Sequence, residues 1–257
     1  MNTSIDQTNR STLIPKIRRV APGRIFAWLQ AGWRDLRANP IPSLAYGLLF
    51  GLGGDLILLA SLGQPHLFTA ALSGFFLLAP LLAVGLYELS RQHAAGNKPI
   101  FIESLRAFRG NGQSIALFGL ALGAVTLIWE RASSFGFGLL GGHSGDNVKQ
   151  FMTQAIANTD NSLFLTLWFV LGGLLALATY AFSVVSIPLM IDREVNCTTA
   201  AQTSLTVFFA NPLTLLLWGA SIVLLTLLGF ATFLFGLVVI MPILGHASWH
   251  AYRELVE

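Results

Sequence analysis

Charge is what this chain has least of. Asp, Glu, Lys and Arg make up 11% of its 257 residues, against 54% hydrophobic residues. A soluble domain carries about 25% charged residues, so a chain of this size could not cover its own surface in water. Cysteine is nearly absent as well. Cys197 stands alone, which excludes an internal disulfide and a thiolate metal cluster. The first 40 residues hold no continuous apolar core, so no secretory signal is expected and the first span should direct its own insertion. No paired carboxylates, Ser-His-Asp set or Cys-His set stands out. Gly136, Gly138, Gly141 and Gly142 fail as a phosphate loop because no strand precedes them.

What the chain does have is long apolar segments, and its mean hydropathy is +0.67. Together these identify an all-α integral membrane protein. A spanning helix needs about 20 apolar residues, and six segments meet that length: about 41–62, 68–89, 114–129, 163–190, 212–229 and 232–251. The last two form one stretch, Pro212–Trp249, without a single Asp, Glu, Lys or Arg. As one helix it would be about 57 Å long, nearly twice the hydrocarbon thickness. A turn is therefore expected near Gly229–Gly236.

The basic residues give an orientation. Thirteen of the fifteen Lys and Arg fall before the first span or in alternate loops after it, and only Arg131 and Lys149 fall on the other side. The positive-inside rule then places both termini in the cytoplasm, as an even number of spans also requires. The basic residues are thereby spent on topology, and nucleic-acid binding is not expected. Residues 1–23 read as a disordered cytoplasmic tail, and 24–257 as the transmembrane domain. Within it, 131–161 reads as an outer loop with a short helix near Asn147–Ala157. In Arg24–Ala38 the apolar residues Ile25, Trp28, Leu29, Trp33 and Leu36 recur at helical spacing among arginines. This pattern suits a helix lying on the membrane surface or packed against the bundle base. Phe101–Phe108 is a shorter version.

Three places carry a similar stretch. Asn39-Pro40 is followed by Tyr46-Gly47, Asn111-Gly112 by Phe118-Gly119, and Asn211-Pro212 by Trp218-Gly219. Each has an amphipathic segment ending at Asn, a helix breaker, and aromatic-Gly seven residues after the Asn. The second span of each unit holds a proline, at Pro80, Pro188 and Pro242. Arg91 and Arg253 follow the first and last of these by eleven residues. The expected architecture is three pseudo-repeated hairpins with interfacial helices, related by an axis along the membrane normal.

Four stretches carry a family resemblance: Trp28–Pro40 (WLQAGWRDLRANP), Ala79–Arg91 (APLLAVGLYELSR), Asp192–Val195 (DREV) and Gly245–Arg253 (GHASWHAYR). The chain resembles, from about Ile17 to its C-terminus, the bacterial integral membrane proteins grouped as domain of unknown function 2189. The resemblance implies a multi-pass protein of the bacterial inner membrane, and brings no catalytic residues with it.

His246 and His250 sit at i and i+4, a spacing that can chelate a divalent metal. With Glu88 and Asp192 ending neighbouring spans, they would form a His/His/carboxylate site for a metal, haem or proton transfer. The other reading is an interfacial anchor with Trp249, Tyr252 and Arg253. Glu88 with Arg91, and Asp192 with Arg193 and Glu194, would close the same side as an ion-pair network, or stay as solvated charge. Asp55 is an intramembrane acid. It would serve ion or proton handling, or helix packing with Gly51, Gly53 and Gly54. The favoured role is non-enzymatic: structural, interacting with lipid bilayer and a membrane-protein partner, or transporting a small solute or ion. The transport alternative requires a polar cavity at mid-depth that reaches Asp55 or the prolines.

Overall fold

A computed structural model of the protein describes residues 15–61, 83–139, 162–232 and 234–257. Among them every regular element is a helix, apart from one isolated antiparallel bridge between Ile17 and Val256. In chain order these are α1 (Arg24–Ala38), α2 (Pro40–Ser61), α3 (83–94), α4 (Phe101–Ser104) with a 3₁₀ turn over Leu105–Ala107, α5 (Phe108–Leu139), α6 (Ser162–Ser183), α7 (Ser186–Arg193), α8 (Cys197–Ala210), α9 (Pro212–Ala231) and α10 (Leu237–Leu255). Among the described residues three stretches are long and apolar enough to cross a membrane: Phe101–Ser133, Thr166–Arg193 and Pro212–Ala231.

Most expected spans coincide with helices, with corrections at their ends. α5 continues to Leu139, so the first residues of the expected outer loop, 131–139, are helical. The segment expected over 163–190 is two helices, α6 and α7, broken at Val184 and Val185. The turn after α9 falls where Gly229–Gly236 suggested, between Ala231 and Leu237. Residues 68–82 of the second expected span, Pro80, and the short helix expected near 147–157 lie outside the described residues. Residues 15–23 are not a free tail. Arg18 N donates to Leu255 O at 2.9 Å, Glu257 N donates to Lys16 O at 2.9 Å, and Lys16 and Arg18 both pair with the Glu257 carboxylate.

The three asparagines share one backbone conformation. Asn39 (φ −135°, ψ 64°), Asn111 (φ −138°, ψ 34°) and Asn211 (φ −134°, ψ 48°) each break the helical path before a long helix begins. Pro40 and Pro212 follow at the first helical position, where the missing N–H would have had no partner anyway. At two of the three breaks the side chain also clamps a passing backbone. Asn111 Nδ2 donates to Met190 O at 3.1 Å and Val195 O at 2.6 Å, which takes up a carbonyl left open by the end of α7. Asn211 accepts from Val20 N at 2.7 Å and donates to Arg18 O at 3.0 Å. Asn211→Ala is expected to cost about 1 kcal/mol, since it strands a part-buried amide and a carbonyl. It should speed amide hydrogen exchange at Val20 selectively. Unchanged exchange there would show that the clamp does not hold the N-terminal segment.

α1 makes its most extensive contact with α10, and α2 also packs on α10. Both approaches depend on glycine. A Cβ at Gly32 would lie 2.5 Å from Ile243 O and 2.8 Å from Ala247 N, so backbone meets backbone. Ile25, Trp28 and Leu36 of α1 are buried in the protein, which makes α1 a packing element. Phe26 and Trp33 remain exposed on its other side, at 79% and 44%. Trp28 meets Trp218 edge-on at 5.7 Å, joining α1 to α9. Elsewhere α2, α5, α6 and α9 present Leu48, Leu120, Phe169 and Leu224 to their surroundings, each more than half exposed. An apolar girdle of this extent fits lipid and not water.

Candidate functional site

Two polar clusters form where α1, α3, α7 and α10 meet, and they divide the residues that the sequence grouped together. The first centres on Asp35. It lies in the buried part of α1, one turn after Gly32, two after Trp28 and next to Leu36, and is 4% exposed. Ser90 Oγ donates to Asp35 Oδ2 at 2.7 Å and also lies 2.7 Å from His246 Nδ1. His246 Nε2 lies 2.9 Å from Ser43 Oγ. Ser90 has one hydroxyl proton and spends it on Asp35. His246 must therefore donate from Nδ1, and in the neutral ring its Nε2 accepts from Ser43. His250 Nε2 reaches Asp35 Oδ2 at 2.9 Å, and His93 Nε2 stands 3.8 Å from Oδ1. Burial pushes the Asp35 carboxyl up, but the hydrogen bonds from His250 and Ser90 outweigh it and hold the group below the ordinary carboxylate range.

Asp35, Ser90, His246 and Ser43 thus form one hydrogen-bonded chain across four helices. Its order resembles that of a catalytic serine with its base and orienting acid, but its accessibility does not. Ser43 is 0% exposed, His246 and Ser90 are 1% exposed, and the chain is sealed within the protein. What it can do chemically is hold α1, α2, α3 and α10 in register.

The four residues of the expected His246/His250/Glu88/Asp192 constellation lie in two separate clusters. The histidines address Asp35 and two serines, while the carboxylates belong to the second cluster. Among the described residues no group of three His, Cys, Asp or Glu is arranged to hold a metal ion. Sequence reasoning missed Asp35, Ser43, Ser90 and His93. The signal for Asp35 was present, as an acid on an otherwise apolar helix stripe. The two serines carried no signal outside the fold.

The second cluster surrounds a cleft of about 390 Å³ between α3, the Arg106–Asn111 segment and α7. Glu88, Arg91, Asp192 and Arg193 all line it, as the ion-pair reading expected. Arg91 grips Glu88 with two hydrogen bonds, Nε to Oε2 at 2.6 Å and Nη2 to Oε1 at 2.9 Å, and Gln92 adds a third at 3.0 Å. The hydrogen bond from Arg91 to Glu88 raises the guanidinium's already high pKa further. Asp192 Oδ2 accepts from Tyr252 Oη at 2.7 Å and Arg253 Nη1 at 2.9 Å. Glu194, at the end of α7, is left-handed (φ 51°, ψ 32°), a conformation that favours glycine. It thereby carries its carboxylate over Gly110, where a Cβ would lie 2.7 Å from Oε1.

Asp55 is half-buried in α2, and no described residue pairs with it. Gly51 and Gly54 beside it face Val238 and Leu234 at 3.2 and 3.3 Å, the close helix approach that the glycines suggested. Two further hollows lie along the apolar helices. One, between α5, α6 and α8, is about 480 Å³; the other, between α6 and α9, is about 320 Å³. Their walls are almost wholly apolar, and neither is lined by Asp55, Pro188 or Pro242. Pro242 is buried against the Gly47 position instead.

Residues 67–192, just under half of the chain, match a family described as predicted integral membrane protein (DUF2189). The match contains the Ala79–Arg91 stretch and ends at Asp192, so Trp28–Pro40 and Gly245–Arg253 lie beyond it. The resemblance thus covers less of the chain than those flanking stretches suggested. No curated protein matches the chain. No solved structure does either.

Proposed function

We propose that this chain, which over residues 67–192 belongs to the DUF2189 family of predicted integral membrane proteins, is a non-enzymatic multi-pass scaffold of the bacterial inner membrane. It crosses six times as three hairpin units, each introduced by an interfacial helix. Both termini face the cytoplasm, and the side bearing Asp35 and the charged cleft is the cytoplasmic base. The inner-membrane setting comes from the family resemblance. The triplication is supported by the common conformation of Asn39, Asn111 and Asn211 and by the burial of Tyr46, Phe118 and Trp218 seven residues after each. The orientation is supported by the thirteen basic residues on one side.

The observation that carries the non-enzymatic reading is the enclosure of the Asp35–Ser90–His246–Ser43 chain. Polar groups able to do nucleophilic chemistry are spent on tying helices together, with no route for a substrate to Ser43. Transport of a polar solute is disfavoured by the apolar walls of the hollows between α5, α6, α8 and α9.

Two measurements test this. In a Cys197→Ala background, single cysteines at Asn9, Asn158 and Glu257 are labelled with a membrane-impermeant thiol reagent in right-side-out and inverted vesicles. The expected result is that Asn9→Cys and Glu257→Cys react only in inverted vesicles, and Asn158→Cys only in right-side-out ones. Ends that label from opposite sides would overturn the six-span topology. A fluorophosphonate serine probe is expected to leave Ser43 unmodified in the native protein, and modification there would overturn the non-enzymatic role.

A further inference from the structure

The charges around the cleft between α3, α7 and the Arg106–Asn111 segment are not equally engaged. Both Glu88 oxygens are taken by Arg91 and Gln92, and Glu88 is buried. Asp192 is taken by Tyr252 and Arg253. Arg193 reaches that same carboxylate oxygen only at 3.9 Å. The Arg106 guanidinium, also on the cleft wall, makes no hydrogen bond or ion pair with any described residue. Two guanidiniums with donors to spare therefore face one cavity, opposed by the single unengaged carboxylate of Glu194.

We propose that this cleft binds a singly charged phosphate group between Arg106 and Arg193, supplied by a phospholipid headgroup or by a soluble phosphate ester. Planar guanidiniums match phosphate oxygens in pairs, and neither of these two is saturated by a protein carboxylate. The charge count selects the ligand. Arg106 and Arg193 against Glu194 leave one positive charge unmatched, which a phosphodiester neutralises. A dianion would be repelled by Glu194. Beside the cleft, Ile102 and Leu105 are 58% and 45% exposed, giving an apolar surface on which acyl chains can lie. That surface favours the lipid source.

The proposal goes beyond the scaffold role and is measured in detergent, so its failure leaves the vesicle-labelling result untouched. Delipidated full-length protein is titrated with dioctanoyl phosphatidylglycerol, with dioctanoylglycerol, which lacks phosphate, and with glycerophosphoglycerol, the soluble phosphodiester left when that lipid loses its acyl chains. Phosphatidylglycerol is expected to bind and dioctanoylglycerol not to. Glycerophosphoglycerol binding as tightly as the lipid would identify a soluble phosphodiester as the source, and its failure to bind would identify lipid. Arg106→Gln with Arg193→Gln should weaken binding about a hundredfold, roughly tenfold for each charged hydrogen-bonding partner lost. Arg109→Gln, outside the cleft, should leave it unchanged. Glu194→Gln should tighten binding several-fold, a gain that a folding defect cannot imitate. Equal binding of the lipids with and without phosphate, no binding of any probe, or full binding by the double variant would overturn the proposal.

Discussion

Asp35→Ala is expected to lower the thermal unfolding midpoint of the detergent-solubilised protein by about 10 °C. The substitution removes one carboxylate but strands several partners. Ser90 loses the acceptor for its only proton, His250 loses its hydrogen bond at 2.9 Å, and the proton order that fixes His246 between two serines is no longer imposed. Breaking a buried charged network by deleting one member costs about 3–5 kcal/mol. For a chain of this size each kcal/mol moves the midpoint by about 2–4 °C. Ser43→Ala, at the far end of the same chain, removes only the donor to His246 Nε2 and should cost about 1–2 kcal/mol. The effect of Asp35 also has a sign in pH. Its carboxyl is held below the ordinary range in the folded state, so its contribution is complete above the unfolded pKa near 3.9. It is lost as the pH falls through the lowered folded value. Melts at pH 7 should therefore separate wild type from Asp35→Ala, and melts well below pH 4 should bring the two together. A difference under about 2 °C at pH 7 would show that the four helices are held by something else.

Parts of this arrangement governed by local backbone chemistry were legible in the sequence. The breaks at Asn39, Asn111 and Asn211, and the turn after Ala231, follow from residue types that terminate or start helices wherever they occur. The gathering of Glu88, Arg91, Asp192 and Arg193 around one cleft was also legible, because all four lie near the ends of expected spans. What could not be read was which partner each group would choose. The spacing of His246 and His250 correctly put both imidazoles on one face of α10. Their target depends on how α1 docks, and that is set by Gly32 fitting against Ile243 and Ala247, a tertiary fact without a periodic trace. The carboxylate came from α1 and not from the ends of the neighbouring expected spans. Sequence spacing found the ligand-like residues, and packing turned them inward on a structural acid.

Gly47→Leu is expected to separate α2 from α10, and a series at the three aromatic-Gly pairs would show why. A Cβ at Gly47 would overlap the Val238 carbonyl and stand 2.9 Å from Pro242 Cγ. The first obstacle is backbone, so no rotamer change relieves it. Gly51, one turn later, faces the Val238 side chain at 3.2 Å, and the pair forms the small-residue seam that lets these helices touch. Overpacking of this kind costs about 1–3 kcal/mol where neighbours can shift, and more where they cannot. Gly47→Leu should therefore abolish recovery of folded protein, with Gly47→Ala as the measurable intermediate, lowering the midpoint by at least about 5 °C. It would also pull Ser43, one turn earlier, away from His246, so its loss should overlap that of Asp35→Ala and not add to it. The three atoms nearest a Cβ at Gly219 all belong to the Tyr180 side chain, at 3.2 to 3.6 Å, and alanine there should be tolerated at a moderate cost. Gly119 has no described atom within 4 Å of its Cβ position, and alanine there should be neutral or gain up to about 1 kcal/mol in helix propensity. The order Gly47, Gly219, Gly119 in thermal melts would mean that the repeated motif preserves the buried aromatic, while the glycine beside it is required only where a second helix crosses. Equal losses at all three sites would mean instead that each unit packs its glycine alike, and that the crossing of α2 over α10 is not special.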